Sequence, residues 1–509
     1  MASAPATDGM LTPAQRRLAA VLLVVSNFMV VLDLTVANVS VPHIAGSLGA
    51  TLEQGTWVIT SYAVSEAISV PLTGWLAQRF GTVRIYFAAM TGFAFFSLFC
   101  GLSMTLTMIV ICRIGQGLCG GLVMPLAQTL LLRIFPREEH GKAMLLWTMT
   151  ILLGPALGPN IGGYISDNWS WHWVFLINIP IAIALVTTGF VLFRQVETPT
   201  RKVPIDAIGL GILVAWVGSL QLMLDLGRTH DWFADPLIVA LAVIAVVGFV
   251  AFIIWEMTED HPIVDIRVFR HQGFTFGALA LSLCFGAYFA SIVLIPQWLQ
   301  AWKGYPATLA GMVIAGTAMT ALVSAQLAGR TLKFADPRLM VSGAVLWLGC
   351  MSLVRAQWTS DADFWTIISP QLIQGFGMSF FMLPLTTISL GSVLPEETAS
   401  AAGLQNFMRT ISIGLATALA MTAWDDTRVA AHSELAGNLQ PAETMEKLTS
   451  SGFSVDQARQ VIAQLVERES VTIALDYVFL LSAMVFFASA IVIWLAPRPG
   501  GTPKPPSAH

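Results

Sequence analysis

Long apolar stretches, separated by short polar ones, follow one another along almost the whole chain. The hydrocarbon core of a bilayer is about 30 Å thick, so a helix that rises about 1.5 Å per residue needs about 20 apolar residues to cross it. Stretches of this size predict fourteen transmembrane helices, near residues 18–40, 55–77, 83–104, 106–132, 142–166, 172–193, 205–225, 235–256, 274–299, 307–328, 338–355, 364–391, 398–423 and 473–496.

The composition supports an integral membrane protein and excludes several other classes. Hydrophobic residues make up 56% of the 509 and charged residues 11%, with a mean hydropathy of +0.73, which is far more apolar than a soluble domain. The net charge of −4 is spread without a basic run, which argues against a nucleic-acid partner. The cysteines lack metal or disulfide spacing, and the sequence has no phosphate-binding loop for ATP. We expect neither a metal nor a cofactor.

The distribution of Lys and Arg predicts the orientation. Cytoplasmic segments of membrane proteins are enriched in these residues, and with the N-terminus inside, the predicted inner segments hold most of them. The short outer loops hold only Arg228, Lys303 and Arg355. Both termini are therefore expected in the cytoplasm, and the long 425–471 segment outside.

Two internally repeated sequence patterns divide the chain into halves. A Gln-Gly pair at 116–117 in the fourth segment precedes a proline, and the pair at 374–375 repeats this pattern in the twelfth. The loop "RFGTVR" (79–84) after the second segment is echoed by "KFADPR" (333–338) after the tenth. Both echoes are displaced by eight helices, which makes chance similarity the weaker explanation.

This repeat predicts an all-α integral membrane protein with six helices, two inserted helices and six more. Such paired bundles, with substrate bound between them near the midplane, are typical of secondary transporters. The expected parts are a cytoplasmic N-terminus (1–17), the N-terminal six-helix bundle (18–193), two inserted helices with linkers (194–272), the C-terminal six-helix bundle (273–496, with the outer segment 425–471) and a cytoplasmic tail (497–509).

Several motifs resemble those of a known transporter family. They are "LDLTVANVSVP" (32–42), "GWLAQRFGTVR" (74–84), "RIGQG" (113–117), "GPALGPNIGG" (154–163), "WHWVFLINIP" (171–180) and "HPIVDIRVF" (261–269). Together they resemble the fourteen-helix drug:proton antiporters of the major facilitator superfamily, over nearly the whole chain. One departure is Gln78, which stands where the family usually has an acid in the loop after the second helix.

The resemblance implies a bacterial inner-membrane protein, not an enzyme, that exports hydrophobic or amphipathic drugs in exchange for protons. The multidrug export members, which this chain resembles most, further imply a periplasmic membrane-fusion adaptor and an outer-membrane channel as partners. A major facilitator transporter for a specific metabolite is the alternative, although the motif in the fifth segment argues against uptake. A membrane-embedded enzyme would need a clustered polar catalytic loop, which the sequence lacks.

The Gly-Pro motif of the fifth segment weakens a helix at a defined place. Three of its glycines recur every four residues and let another helix approach closely, while its prolines remove backbone donors and permit a kink. The resemblance implies a bendable contact between the two halves that gates transport; a static packing seam is the alternative. The residues concerned are Gly154, Pro155, Gly158, Pro159, Gly162 and Gly163.

Three charged residues fall in one layer of the N-terminal half. Counting about 1.5 Å per residue places Asp33, Glu66 and Arg113 between the midplane and the outer part of the membrane. A charge there costs about 2.5 to 3.5 kcal/mol and is usually functional. The resemblance assigns proton coupling to Asp33 and Arg113, for which a structural ion pair is the alternative. Glu66 rests on depth alone, and its alternative is a neutral, hydrogen-bonded acid.

Candidate substrate-binding residues lie in both halves. Gln116 is three residues beyond Arg113 on the same helix face, where it either lines the cavity or packs. Arg409, with Asn406 one turn before it, either binds an anionic substrate group or bonds to neighbouring carbonyls. Aromatic and Met side chains suit varied apolar ligands, although most such residues face lipid or packing. The remaining candidates are Tyr288, Phe289, Gln297, Gln374, Met378 and Phe380.

The outer segment 425–471 contains a predicted amphipathic helix. In "SVDQARQVIAQLVERES", Ser454 and Gln457 form a capping-box pattern. An apolar stripe follows at Ala458, Val461, Ile462 and Leu465. We expect this helix either to contact the adaptor or to pack back on the transporter.

Overall fold

The chain folds into helices joined by short turns. The computed structural model describes residues 11–497 except 137, 138, 203, 333, 395, 439 and 440, and within these residues it contains no β-strand. The α-helices are α1 (Pro13–Ser47), α2 (Leu52–Ser69), α3 (Thr73–Phe80), α4 (Thr82–Gly101), α5 (Leu106–Ile134), α6 (His140–Asn168), α7 (His172–Leu176), α8 (Asn178–Phe193), α9 (Ala207–Leu226), α10 (Pro236–Thr258), α11 (Gln272–Ala301), α12 (Ala307–Thr331), α13 (Pro337–Arg355), α14 (Phe364–Gly391), α15 (Thr398–Asn438), α16 (Pro441–Ser450) and α17 (Val455–Val492).

Each predicted segment coincides with a helix or with a pair of helices. The second comprises α2 and α3, separated by a 3₁₀ turn at Val70–Leu72, and the sixth comprises α7 and α8. Among the described residues, twelve helices are long and apolar enough to cross a membrane, and neither α2 with α3 nor α6 is one of them. The all-helical, multi-pass fold is therefore confirmed, whereas the number fourteen stays a prediction.

Helices α1–α8, here called the N-terminal half, pack mainly on one another, and so do helices α11–α17, the C-terminal half. The repeated Gln-Gly pairs occupy equivalent places in the two halves. A Cβ on Gly117 would lie 2.5 Å from the Tyr62 carbonyl of α2, and one on Gly375 would collide with the Thr317 carbonyl of α12. Each glycine thus permits close approach of two helices within its own half.

Contacts between the halves run along three helices of the N-terminal half. α5 packs against α15, α6 packs against α12 and α14, and α3 with the preceding 3₁₀ turn packs against α15. The α3 contact lies at the end of the molecule that carries the α3–α4 loop. We call this the inner end, because its Lys and Arg residues predict it to be cytoplasmic.

The first inserted helix contacts both halves. α9 packs against α10, α2 and α15. The ring of Trp216 on α9 lies 5.8 Å from that of Phe407 on α15, and Arg228, just after α9, pairs with Asp425 on α15 at 2.6 Å. The insertion is therefore attached to the transporter body rather than tethered only by its linkers.

The outer segment 425–471 is helical over most of its length. α15 has 41 residues and α17 has 38, so at about 1.5 Å per residue both are longer than a bilayer core is thick. We call their extensions beyond the bundle, together with α16, the outer hairpin (residues 425–471). The capping box at Ser454 and Gln457 is present. Within the predicted stripe Ala458 is buried and Leu465 is 49% exposed, while the neighbouring Val466 is buried, so the choice between adaptor contact and packing stays open.

Candidate functional site

The carboxylate of Asp33 on α1 is buried and bonded by two neighbouring helices of its own half. Its side chain is 0% exposed. Arg113 Nη1 of α5 donates to Oδ2 at 2.7 Å, while Gln116 Nε2 of α5 and Asn178 Nδ2 of α8 donate to Oδ1 at 3.0 and 2.6 Å. A buried ion pair is tolerated only when such additional bonds satisfy it. The predicted residues Asp33, Arg113 and Gln116 thus form one cluster.

The guanidinium of Arg113 is also held by two further hydrogen bonds and by two aromatic rings. Its Nε donates to the Val58 carbonyl at 3.0 Å, and Nη1 also donates to Gln116 Oε1 at 2.8 Å. The cation lies 4.2 Å from the Tyr62 ring centroid and 5.6 Å from that of Phe175, within cation–π range. Nη2 has no hydrogen-bond partner among the described residues. The cluster therefore holds the cation in one orientation and leaves it one unused donor.

Two members of the cluster were not predicted from the sequence. Asn178 begins α8 directly after the break that follows α7, and its amide also donates to Ser97 Oγ at 3.1 Å. Ser97 on α4 donates in turn to the Phe175 carbonyl at 2.8 Å. The available signal was a single Asn within the apolar run "VFLINIP". A buried amide at a helix break needs partners, and this one finds them at Asp33.

Glu66 on α2 is buried but does not join the Asp33 cluster. The hydrogen bonds of the described residues include none to its carboxylate, which is within electrostatic range of Arg409 of α15, Arg113 and Asp33. Arg409 belongs to the other half. The three charges that were placed in one layer are therefore divided into a bonded pair and an acid that interacts across the interface.

Arg409 is surrounded by side chains of both halves. Its guanidinium carbon lies 5.4 Å from the ring centroids of Trp147 on α6 and Phe285 on α11. Nη2 lies 3.8 Å from Met124 Sδ of α5, and Nη1 has no partner among the described residues. The arrangement is a buried cation between two aromatic rings, with Glu66 as its electrostatic counterpart.

Several buried amides of α14 and α15 have hydrogen-bonding atoms without a partner among the described residues. Asn406 Nδ2 donates to Gln128 Oε1 of the N-terminal half at 2.8 Å, and its Oδ1 has no partner among the described residues. Gln374 is 0% exposed, and neither of its amide atoms is bonded within the described chain. Gln405, which was not predicted, has the same property. Leaving such groups unpaired costs about 1–3 kcal/mol each, so each of these amides favours a polar partner.

The other predicted substrate residues are scattered. Tyr288 is buried with its ring 5.5 Å from that of half-buried Phe289, and Phe289 stacks on Phe285 beside Arg409. Met378 is fully buried in the core. The remaining two point elsewhere: Phe380 stacks on exposed Phe376, and Gln297 is exposed near the outer end of α11.

The glycines of the "GPALGPNIGG" motif face α1 of the same half. Cβ atoms on Gly154 and Gly158 would collide with Val31 and Thr35, and one on Gly162 would lie 2.9 Å from the Val36 carbonyl. The close approach is therefore as predicted, but its partner is α1 and not the opposite half.

The last glycine of the motif does not show the same close approach to α1. Gly163 has nothing within 4 Å of its Cβ position. The side chains of Pro155 and Pro159 lie outside the described residues. α6 reaches the opposite half through α12 and α14, so its gating role stays a prediction.

The sequence matches transporters of one superfamily over most of its length. Residues 23–417 match the Major Facilitator Superfamily. The chain is 40% identical to the multidrug export protein EmrB of Escherichia coli (strain K12), over 96% of each chain. It is 39% identical to the fatty acid resistance protein FarB of Neisseria gonorrhoeae, over 93% of this chain and 94% of that one. The resemblance to multidrug export proteins is thereby confirmed.

The fold agrees with this assignment. The crystal structure of a double tryptophan mutant of XylE superimposes with a TM-score of 0.62 over 96% of this chain and 97% of that one, at 12% sequence identity. At this identity the likeness concerns the fold alone. With the sequence match over residues 23–417, the chain belongs to the major facilitator superfamily.

Proposed function

We propose that this transporter exports hydrophobic or amphipathic drugs across the bacterial inner membrane in exchange for protons. The observation that carries the proposal is Asp33, a carboxylate fully buried in a membrane helix and bonded to Arg113 at 2.7 Å. Buried acids of membrane helices mark proton and ion pathways. The 40% identity to a multidrug export protein supports drugs as the substrate.

The proton step follows from the Asp33–Arg113 pair. When Asp33 takes up a proton, Arg113 loses its counter-ion and the carboxyl Oδ2 becomes a poor acceptor for Nη1. A buried cation without a partner costs about 3–5 kcal/mol. Protonation therefore favours a conformation in which Arg113 finds new acceptors, and release of the proton favours the conformation observed here.

A second charge pair links this step to movement of the halves. Glu66 and Arg409 lie on opposite halves and interact electrostatically, so their interaction changes whenever the halves rotate relative to each other. Glu66 also interacts with Arg113 and Asp33. A change of charge at Asp33 thus alters the energy of a contact that spans the interface.

The surroundings of Arg409 are suited to amphipathic molecules. Trp147 and Phe285 supply apolar surface from both halves, and Asn406, one turn before Arg409 on α15, supplies an unpaired amide oxygen. Apolar walls with a few polar groups are typical of sites for small organic ligands. We propose that drug binds here, between the halves.

The test is transport by the purified protein in liposomes with an imposed pH gradient. The relative FarB is a fatty acid resistance protein, so a fatty acid serves as the anionic compound beside a neutral and a cationic amphiphile. We expect pH-dependent accumulation of at least one compound, abolished by an uncoupler. Accumulation that ignores the pH gradient would contradict proton coupling.

We further propose fourteen crossings with both termini in the cytoplasm, arranged as bundles 18–193 and 273–496 around the insertion 194–272. Lys and Arg distribution supports this topology. A reporter fused at Ala436, which is exposed near the end of α15, is expected to be active only outside the cytoplasm. Paired reporters active in each compartment measure this, and cytoplasmic activity at Ala436 would refute the topology.

The outer hairpin is the proposed contact for a periplasmic membrane-fusion adaptor, which would connect the transporter to an outer-membrane channel. It exposes several apolar side chains despite projecting away from the membrane core, namely Val429, Phe453, Val455 and Leu465. Exposed apolar patches of this kind mark protein interfaces. Packing of α17 against α15 and α16 buries Ala458 and Val466 and leaves these four free.

Charge substitutions on the hairpin test the adaptor contact. Val455→Glu and Leu465→Glu are expected to lower drug resistance of cells toward that of cells lacking the transporter, because a charge desolvated in an interface is unfavourable. Transport in liposomes should be unchanged. Gln464→Glu, an exposed neighbour, is the matched control. If transport in liposomes falls as well, the hairpin only packs against the transporter.

A further inference from the structure

The turn between α3 and α4 has no room for a side chain. Gly81 has a φ of +96°, a conformation that favours glycine. A Cβ at this position would lie 2.6 Å from Glu197 Oε1. The chain is therefore shaped to bring the carboxylate of Glu197 against the backbone of this turn.

Glu197 comes from the linker between α8 and α9 and caps the first turn of α4. Its Oε1 accepts the Val83 N–H at 2.9 Å, and its Oε2 accepts the Arg84 N–H at 3.1 Å. A carboxylate at a helix N-terminus satisfies unpaired donors and is favoured by the helix dipole. The backbone carbonyl of Glu197 accepts a bond from Arg133 Nη2 of α5 at 3.0 Å, which anchors the linker on its other side.

The same linker also binds α3. The Arg201 N–H donates to the Gln78 carbonyl at 2.9 Å, and Trp75 Nε1 donates to the Pro204 carbonyl at 3.1 Å. Glu197, Arg201 and Pro204 of the linker thus hold both α3 and the start of α4. Gln78, where the family usually has an acid, takes part through its backbone.

α3 is part of the contact between the halves at the inner end. A Cβ on Gly74 would lie 2.8 Å from Ser400 Cα at the start of α15, and one on Gly403 would lie 3.4 Å from Thr73 Cβ. Such close approach depends on the exact position of α3. Whatever fixes α3 therefore fixes the contact between the halves.

We propose that Glu197 is a positioning residue of the inner gate. It supplies a carboxylate from the linker, whereas α3 itself has an amide at Gln78, and through the linker it holds α3 against α15 in the state closed to the cytoplasm. The inference rests on the proposed transport function only in requiring that this contact opens. The Glu197 carboxylate accepts three backbone N–H groups, because Oε1 also accepts the Thr198 N–H at 3.0 Å. An amide at position 197 keeps only one acceptor oxygen and presents a donor where the other stood, so the closed state loses stability.

The test follows the burial of Thr73, which is 0% exposed at the contact with α15. Thr73→Cys is placed in a background without the five native cysteines, and its reaction with a membrane-impermeant maleimide is measured from the inner face. Glu197→Gln is expected to raise this rate about tenfold. Glu396→Gln, an exposed acid just before α15, is the matched control and should leave the rate unchanged.

A second reporter separates gating from general loosening. Ser352 is buried on α13, far along the chain from the inner contact. A Ser352→Cys reporter should therefore stay unreactive toward the maleimide when Glu197→Gln is also present. An unchanged rate at Thr73→Cys, or a parallel rise at both reporters, would overturn the proposal. The assay uses neither drug nor proton gradient, so its outcome stands apart from that of the export experiment.

Discussion

Asp33→Asn is expected to bind drug but to lose accumulation against a gradient. The amide keeps the size of the side chain and can still accept hydrogen bonds, but it cannot carry a proton. One proton moving down 100 mV supplies about 2.3 kcal/mol, which supports a gradient of a neutral drug of about 50-fold. In liposomes with an imposed pH difference we expect Asp33→Asn to build no drug gradient, while drug still binds to the purified variant.

The structure shows what else this substitution changes. Asp33 is the ion-pair partner of Arg113, so the asparagine leaves a buried cation uncompensated, at a cost of about 3–5 kcal/mol. The double variant Asp33→Asn with Arg113→Gln removes both charges and separates this cost from loss of the proton carrier. Arg113→Lys should retain some coupling and Arg113→Ala none, because only lysine keeps a cation in the cluster.

The matched control is Glu256→Gln. Glu256 is a fully buried acid on the inserted helix α10 whose Oε2 accepts the Val264 N–H at 3.4 Å. None of the described hydrogen bonds joins it to the cluster, and its loss should leave coupling intact. If Asp33→Asn accumulates drug as well as the wild-type protein does, Asp33 has a structural role and does not carry the proton. Glu66, which has an electrostatic partner across the interface, would then be the carrier to test.

Helix positions were predictable because lipid imposes a length on each apolar segment. All fourteen segments coincide with helices. The relative level of residues on neighbouring helices follows from the same count, since each residue adds about 1.5 Å. Asp33 and Arg113 therefore met as expected, and Gln116, one turn along α5, met them too.

Which way a side chain faces was much less predictable. In a membrane helix both lipid and protein are apolar, so hydrophobic periodicity does not show which face is inside. Glu66 was expected in the same layer, but none of the described hydrogen bonds joins its carboxylate to the Asp33 cluster, and Arg409 of the other half is within its electrostatic range. Asn178 joined the cluster only because α8 starts beside α1, which depends on the break after α7.

The ends of helices were also difficult to predict. Arg355 was assigned to an outer loop, but it ends α13 as a buried residue whose Nη2 donates to Ser352 Oγ at 2.8 Å. α15 continues as helix far beyond the predicted 398–423. Hydropathy marks where an apolar stretch ends, whereas a helix continues for as long as packing and capping support it.

Gly162→Ala is the second substitution with a large expected effect. A Cβ at this position would lie 2.9 Å from the Val36 carbonyl oxygen and 3.0 Å from Val36 Cα. These are backbone atoms of α1, so relief requires the two helices to separate. Overpacking of this kind costs about 1–3 kcal/mol, which exceeds the gain of about 0.5–1 kcal/mol from replacing glycine within a helix. We expect a lower unfolding temperature in detergent and slower transport.

The adjacent Gly163→Ala is the matched control, because nothing lies within 4 Å of its Cβ position. It gains helix stability without a clash, so its unfolding temperature should stay the same or rise. Thermal unfolding of both variants, compared with the parent protein in one detergent, measures the difference. The two unfolding temperatures should shift in opposite directions only if Gly162 is required for the close packing of α6 against α1. If the two substitutions lower stability alike, the backbone of α6 itself requires glycine, and the motif acts through bending of this helix.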